Sequence, residues 1–427
     1  MTTTAPSPIE ETYRAKTPGS AALIARAEQV MPAGSSRTFG YFAPYPVVFA
    51  RGEGSVLYDV DDNRTIDFAC NGLSLIHGHA YPPVVEALHA QLEVGSAWPG
   101  TSRAQIAFAE LLCERVPSAE QVRFTNTGTE ATMLAVKLAR RATGRPLILK
   151  AVHAYHGSYD DLEAGLGGRG ELPGRTLLAD FGDIASFRSK IEANADQLAA
   201  VVIEPVLYTD NVIAPPPGFL AQVAEAARAV GALVILDDCI MFRLAPGGSA
   251  ERYDFSADIT CLGKWIGGGL PVGVVGASAA LMATFDPRRE GALYHGGSFN
   301  GNPLGAVAGR IALADLTAER IETMNGQAEV LAEGIRRAGE AVGLPLLVTG
   351  DGSARGVYVL GADGVTADPV RSAAYYVATI NHGVYIGGGG EMAMTTTLTD
   401  ALVEEALAGF AAAARDVAEA HPQPEAA

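Results

Sequence analysis

Cysteine is scarce and scattered in this chain: Cys70, Cys113, Cys239 and Cys261 include no C-x-x-C pair. That spacing argues against a disulfide framework or a cysteine zinc site and predicts a reducing, cytoplasmic setting. Long apolar runs are also missing. No stretch approaches the roughly 18 apolar residues of a membrane-spanning helix, so no membrane partner is expected. The opening Met-Thr-Thr-Thr-Ala-Pro-Ser-Pro has no basic region followed by an apolar one, so no secretory signal is expected. Positive charge is the scarcer sign. With 31 basic and 48 acidic side chains the net charge is −17, which argues against nucleic acid or an anionic surface as the partner. Internal repeats and charged tails are absent as well. What remains is a chain of 427 residues, 48% hydrophobic, able to bury a large core and to handle small molecules.

Composition divides the chain. Residues 1–12 and 421–427, rich in Pro, Thr, Glu and Ala, are expected to be flexible tails. Between about 105 and 315, apolar β-branched runs alternate with alanine-rich helical patterns. Gln121–Thr125, Leu147–Lys150, Ala200–Glu204 and Ala232–Asp237 read as strands, and Thr129–Thr143 and Phe219–Val230 as helices. Continuous apolar strands separated by helices predict an α/β fold whose mixed, mostly parallel sheet is covered by helices on both faces. A large domain is therefore expected over 71–315. Residues 13–70 hold a hairpin pattern around Arg51-Gly-Glu-Gly54 and Asp61-Asp-Asn63. Together with 316–420 they are expected to form a smaller α+β domain built from both chain ends.

In open parallel sheets, ligands bind beyond the carboxyl ends of the strands, and Glu204, Asp237 and Lys264 fall at such ends. Lys264 lies in Cys261-Leu-Gly-Lys-Trp-Ile-Gly-Gly-Gly-Leu-Pro-Val-Gly273. Two readings are open for it alone: an exposed loop lysine, or an amine forming a Schiff base with an aldehyde cofactor that the flanking glycines let the backbone approach. Asn126-Thr-Gly-Thr-Glu-Ala131 follows a strand and opens a helix, which makes either an ordinary N-cap or an anion site with the Thr129 hydroxyl as an added donor. Asp237 could cap a helix, pair with an arginine, or keep a pyridine nitrogen protonated. In His153-Ala-Tyr-His-Gly157 the Tyr155 ring could stack on a flat cofactor. The two histidines there lack a third ligand, so no metal is expected. His77 and His79 read as turn or interface residues.

Taken together these segments resemble the class III aminotransferases, a fold-type I family that uses pyridoxal 5′-phosphate. The glutamate-1-semialdehyde aminomutase-like group, with its β-amino-acid aminotransferases, is the nearest likeness. The resemblance rests on Val122-Arg-Phe-Thr-Asn-Thr-Gly-Thr-Glu-Ala131, Tyr155-His-Gly157, Val202-Ile-Glu-Pro205, Leu236-Asp-Asp-Cys-Ile-Met-Phe-Arg243, Leu262-Gly-Lys-Trp-Ile-Gly-Gly-Gly-Leu-Pro-Val-Gly273 and His295-Gly-Gly-Ser-Phe-Asn-Gly-Asn-Pro303, in family order. It implies that 71–315 is the pyridoxal-phosphate domain, with Lys264 and Asp237 catalytic. Lys264 would form the Schiff base and Asp237 would hold the ring nitrogen. Gly128, Thr129 and, from the other subunit of a homodimer with shared sites, Ser298 would bind the phosphate. Tyr155 and Cys239 would flank the ring, with His156 and Glu204 completing the cofactor site. Arg37, in Pro32-Ala-Gly-Ser-Ser-Arg-Thr-Phe39, matches the arginine that β-amino-acid aminotransferases use on carboxylates, and Trp98 is the second substrate-side candidate.

The chain departs from the pattern near these positions. Asp238 replaces the glutamate that usually follows the ring-nitrogen acid, and its shorter side chain predicts a small gap. Met241 replaces a threonine. Thr209 lies where relatives often reach the cofactor's phenolic oxygen. Gly387-Gly-Gly-Gly-Glu391 stands where β-amino-acid relatives carry a second arginine. The loop at Thr349-Gly-Asp-Gly352 lacks the pattern of true glutamate-1-semialdehyde aminomutases. The expected activity is ping-pong transfer of an amino group from an amino acid or amine donor, a β-amino acid among them, to a carbonyl acceptor. Two rivals stand beside it: a pyridoxal-phosphate isomerase (a 2,1-aminomutase, racemase or epimerase) and a non-catalytic scaffold that has kept the fold.

Overall fold

A computed structural model describes residues 6–38, 40–166 and 174–422. The chain separates into two compact units, one of residues 1–73, 77–81 and 322–427 and one of 74–76 and 82–321. The boundaries expected after 70 and 315 thus lie a few residues early, and 77–81 go with the chain ends.

The larger unit is built on seven strands. Their spatial order is Gln121–Thr125, Gly273–Ala277, Ile259–Leu262, Leu233–Asp237, Leu198–Ile203, Leu147–Ala151 and Thr176–Ala179. Every pairing is parallel except the two made by Gly273–Ala277, which runs against both neighbours. The sheet is mixed and mostly parallel, as its apolar strands require. Alternation along each strand sends side chains to opposite faces. Val202, Ile235 and Val275 pack with Ala131, Leu134, Ala135 and Leu138 of the helix Gly128–Thr143 on one face. Val201 and Val234 pack with Phe187, Phe219 and Val223 on the other. Both faces are dry, so the polar groups that end the strands are forced to the sheet edge.

The smaller unit carries a sheet ordered Phe49–Glu53, Val56–Asp59, Arg64–Asp67 and Val384–Tyr385, in which the expected hairpin pairs Glu53 with Val56. A second, three-stranded sheet holds Leu346–Asp351, Ala354–Val359 and Glu391–Ala393. One expectation for the tails is corrected: residues 8–12 do not fray. They belong to a helix, Pro8–Lys16, capped by the Ser7 hydroxyl and anchored by buried Ile9 and Tyr13. Tyr13 donates its hydroxyl to the Tyr45 carbonyl at 2.7 Å, a tie that Pro- and Thr-rich composition does not reveal. Among the tail residues, 1–5 and 423–427 lie outside the described residues.

Candidate active site

Asp237 ends the strand Leu233–Asp237 at the centre of the larger sheet, and its carboxylate is fixed from two sides. His156 Nδ1 donates to Oδ2 at 2.9 Å, and the Cys239 backbone N–H donates to Oδ1 at 3.2 Å. Burial alone would raise the Asp237 carboxyl; the His156 bond and the nearby Lys264 charge outweigh it and hold the group below the ordinary carboxylate range. Burial pushes the fully enclosed His156 imidazole down, so the ring is neutral and Nδ1 carries the proton it donates. Its Nε2 is buried without a partner among the described residues.

Lys264 follows the neighbouring strand Ile259–Leu262 and has φ of +54°, in the left-handed region that a long side chain seldom adopts. Gly263 before it packs so closely that an added Cβ would lie 3.1 Å from the Gly128 backbone and 3.2 Å from Cys239 Sγ. Strain of this kind persists where surrounding structure over-determines it, and it clusters at functional sites.

Gly128 and Thr129 open a 16-residue helix. Thr127 caps the Glu130 N–H, and the Glu130 carboxylate reaches back to the Asn126 N–H at 2.7 Å. The N–H groups of Gly128 and Thr129 find no acceptor among the described residues, so the cap leaves two donors at the positive end of the helix dipole. Both of the proposed local roles are therefore present at once, capping by Thr127 and Glu130 and open donors at Gly128 and Thr129. Thr129 Oγ1 accepts the Ser158 N–H at 3.4 Å and keeps its own hydrogen to give.

Gly157 supplies the turn that brings the Tyr155 segment against this helix. Its φ is +103°, and a Cβ there would meet Thr129 Cα at 2.6 Å. Gly157→Ala is expected to cost roughly 1–3 kcal/mol of stability, read as a fall in the thermal midpoint of the cofactor-free protein. Glu204, 7% exposed, accepts the backbone N–H of Tyr155 at 3.3 Å and of Tyr208 at 3.4 Å, tying two loops at the sheet edge. Burial, reinforced by the Asp237 charge, raises its carboxyl to about 8. Cys239 is a buried thiol that burial pushes well above its ordinary value, so it presents an uncharged surface. Thr209 spends its hydroxyl on the His153 carbonyl.

Lys264, Asp237, His156, Cys239, Gly128, Thr129, Tyr155 and Glu204 thus form one connected group in the larger unit. Ser298, exposed on the loop before the helix Pro303–Asp315, bonds to none of them among the described residues. Trp98, 46% exposed, is likewise separate. Arg37 belongs to the smaller unit, where it is exposed and donates to Asn71 Oδ1 at 2.9 Å. The glycine run at 387–390 does not present Glu391 outward. That carboxylate folds back onto its own loop, accepting the Gly389 N–H at 3.1 Å, and burial raises it. His77 and His79 are structural, bonded to Thr396 and Asp67. The role of His156 as the partner of Asp237 was not readable from a contact 81 residues apart; only its place after Tyr155 marked it.

The donor set suits a phosphorylated pyridine aldehyde. Two open N–H groups and a hydroxyl offer an anion site, a buried carboxylate offers a partner for a protonated ring nitrogen, and Lys264 offers the amine. The chain matches the family model "Aminotransferase class-III" over residues 41–163 and 182–413. It is 38% identical over 390 residues to a glutamate-1-semialdehyde 2,1-aminomutase 2 of Bacillus thuringiensis (strain Al Hakam), spanning 86% of this chain and 90% of that protein. The crystal structure of an omega-transaminase from Sphaerobacter thermophilus matches with a TM-score of 0.88 at 37% identity, covering 93% of this chain and 97% of the other. A β-phenylalanine aminotransferase from Variovorax paradoxus matches with the same TM-score of 0.88 at 31% identity, covering 94% and 96%. The chain belongs to the class III aminotransferases, fold-type I enzymes that move amino groups with pyridoxal phosphate.

Proposed function

We propose that this enzyme transfers the amino group of a carboxylate-bearing donor, a β-amino acid in particular, and that the group around Lys264 is its catalytic centre. The observation that carries the assignment of the centre is the buried Asp237–His156 pair beside Lys264. Bound pyridoxal phosphate supplies an aldehyde for the amino group and a ring that accepts electrons from the carbon being deprotonated. With the cofactor bound, Lys264 would hold its aldehyde through the amine, and once freed by the donor the same Nζ would move the proton away from the amine-bearing carbon. Asp237, kept ionised by His156, holds the proton on the ring nitrogen. Gly128 and Thr129 would hold the phosphate at the open helix start, and Tyr155, whose backbone N–H is held by Glu204, and Cys239 would flank the ring.

The reading extends to a cytoplasmic homodimer in which the exposed Ser298 loop completes the partner subunit's phosphate site, and to Trp98 and Arg37 as substrate-side groups. Arg37 is the carboxylate clamp: its guanidinium is exposed and, among the described residues, donates to a neutral partner, Asn71. The test is a donor panel of α-amino acids, β-amino acids, amino sugars and simple amines, run on wild type and Arg37→Ala. The variant is expected to raise KM for β-amino acids by about 10-fold or more, the worth of one charge-assisted bond, with neutral amines unaffected. Equal losses across the panel, or failure of β-amino acids with the wild type, overturns the clamp. The aminomutase name of a 38% identical relative favours a second reading, isomerisation. Turnover of a chiral or aminated aldehyde substrate without any carbonyl acceptor would establish it.

A further inference from the structure

Beside Asp238 lies a partly open cavity of about 80 Å³, lined by Val116, Leu236, Phe242 and Phe255, with Asp238, Ser118 and Thr260 also in its walls. The Asp238 side chain is 1% exposed. Its Oδ2 accepts the Ser249 backbone N–H at 3.0 Å, whereas Oδ1 is buried with no partner among the described residues. Ser118 and Thr260 hydrogen-bond to each other at 2.7 Å, a polar patch in an otherwise apolar chamber. Gly248, at φ +77°, is required here, because a Cβ would meet Asp238 Oδ2 at 2.5 Å and Phe242 at 2.2 Å. An unpaired buried carboxylate oxygen costs free energy, and a cavity of this size with polar walls has room for a water that would satisfy it.

We propose that Asp238 is a positioning residue that acts through Asp237: hydrated by its own cavity, it is a protonatable second acid whose charge state sets how firmly Asp237 holds the ring-nitrogen proton. This rests on the reading that Asp237 faces that nitrogen. The two acids are consecutive in the chain, with His156 the hydrogen-bonded partner of Asp237 and Asp238 the next acid along it. The charged and titratable groups on the surrounding elements include Asp237, Cys239 and Arg243 on its own turn, Cys261 on the adjacent strand, Glu251 and Arg252 on the helix Gly248–Arg252, Arg115 at the end of the helix Arg103–Arg115, and Asp258. Several are already engaged: Arg115 with the Pro246 and Leu313 carbonyls, Glu251 with the Gly247 N–H, and Asp258 with the Val234 N–H. Asp237 is the one whose charge bears on Asp238. Burial and then that charge raise the Asp238 carboxyl to about 7, the Ser249 bond opposing them.

A carboxyl raised in the folded state keeps its proton where the unfolded chain has lost it. Stability therefore falls as pH rises from about 4 toward about 7, and the loss is complete above that value. Asp238→Asn keeps the Ser249 contact and removes the titration. In the cofactor-free protein the thermal midpoint of Asp238→Asn is expected to exceed that of wild type by an amount growing by roughly 5 °C between pH 5 and 8. In the holoenzyme the absorbance of the bound cofactor is expected to change with a midpoint near 7. Asp238→Asn should lose that midpoint, and Thr260→Val, which dries the cavity, should move it to higher pH. A pH-independent gap in thermal midpoints, or an absorbance midpoint unchanged in both variants, overturns the proposal. If Asp238→Asn fails to fold, the direction of the Thr260→Val shift decides. Failure of the ring-nitrogen reading looks different: the thermal result holds while the absorbance of wild type is flat with pH.

Discussion

Replacing Lys264 with alanine is expected to abolish amino-group transfer, by at least roughly 10⁴-fold, because one side chain is asked both to carry the aldehyde and to move the proton. The group cannot be substituted locally. Lys150, a buried lysine of the larger unit, lies on the strand Leu147–Ala151, separated by two strands from Ile259–Leu262, and donates to the Ala164 carbonyl at 2.6 Å. The fold should tolerate the change. Lys264 stands at φ +54°, a conformation alanine occupies with no more strain than lysine, and the surrounding Gly263 and Gly268 contacts remain. Loss of activity should thus accompany an unaltered thermal midpoint. The open Gly128 and Thr129 donors remain as well, so the variant should still bind the cofactor, noncovalently and without its long-wavelength absorbance. Retention of that absorbance together with residual turnover would remove Lys264 from the centre and return it to an ordinary loop lysine.

Much of this centre was legible because a buried parallel sheet places most of its polar residues at strand ends. Asp237 and Glu204 follow unbroken apolar runs, so their position relative to the sheet followed from those runs alone. The open phosphate cradle was half legible. Thr127 and Glu130 read as a cap, and only the structure separates the N–H groups they satisfy from the two they leave. Three of the seven strands carried too little signal. Thr176–Ala179 and Ile259–Leu262 are four residues each, and Gly273–Ala277 contains two glycines. Those glycines are explained by tight packing: a Cβ on Gly276 would lie 2.7 Å from Ala119 Cβ, and one on Gly273 2.1 Å from the Thr127 carbonyl. The place of Glu391 was not legible for a different reason. A carboxylate beside a glycine run suggests a charged pocket wall, but glycines also let a side chain fold back onto its own backbone, which is what Glu391 does.

Asp237→Asn is the second change with a large expected effect, a loss of roughly 10³-fold in the rate of transfer, in the range seen when a single preorganised electrostatic partner is removed. The substitution is nearly isosteric, yet it alters two bonds. Asp237 uses both oxygens as acceptors, Oδ2 for His156 and Oδ1 for the Cys239 N–H. Asparagine has one acceptor and one donor. Keeping Oδ1 on the Cys239 N–H turns the amide NH₂ toward His156, which can answer by moving its proton from Nδ1 to Nε2. Nε2 is buried and without a partner among the described residues, so the tautomer costs one unsatisfied N–H, about 1–3 kcal/mol. The fold survives that cost in a core of this size, but the negative charge facing the ring nitrogen is gone. The expected signature is a protein that binds cofactor through the phosphate cradle and Lys264, with a slightly lowered thermal midpoint and a transfer step slowed far more than binding. Single-turnover conversion of the bound cofactor by excess donor measures that step directly. A rate within tenfold of wild type would show that ring-nitrogen protonation does not limit the reaction, and that the buried Asp237–His156 pair serves the fold alone.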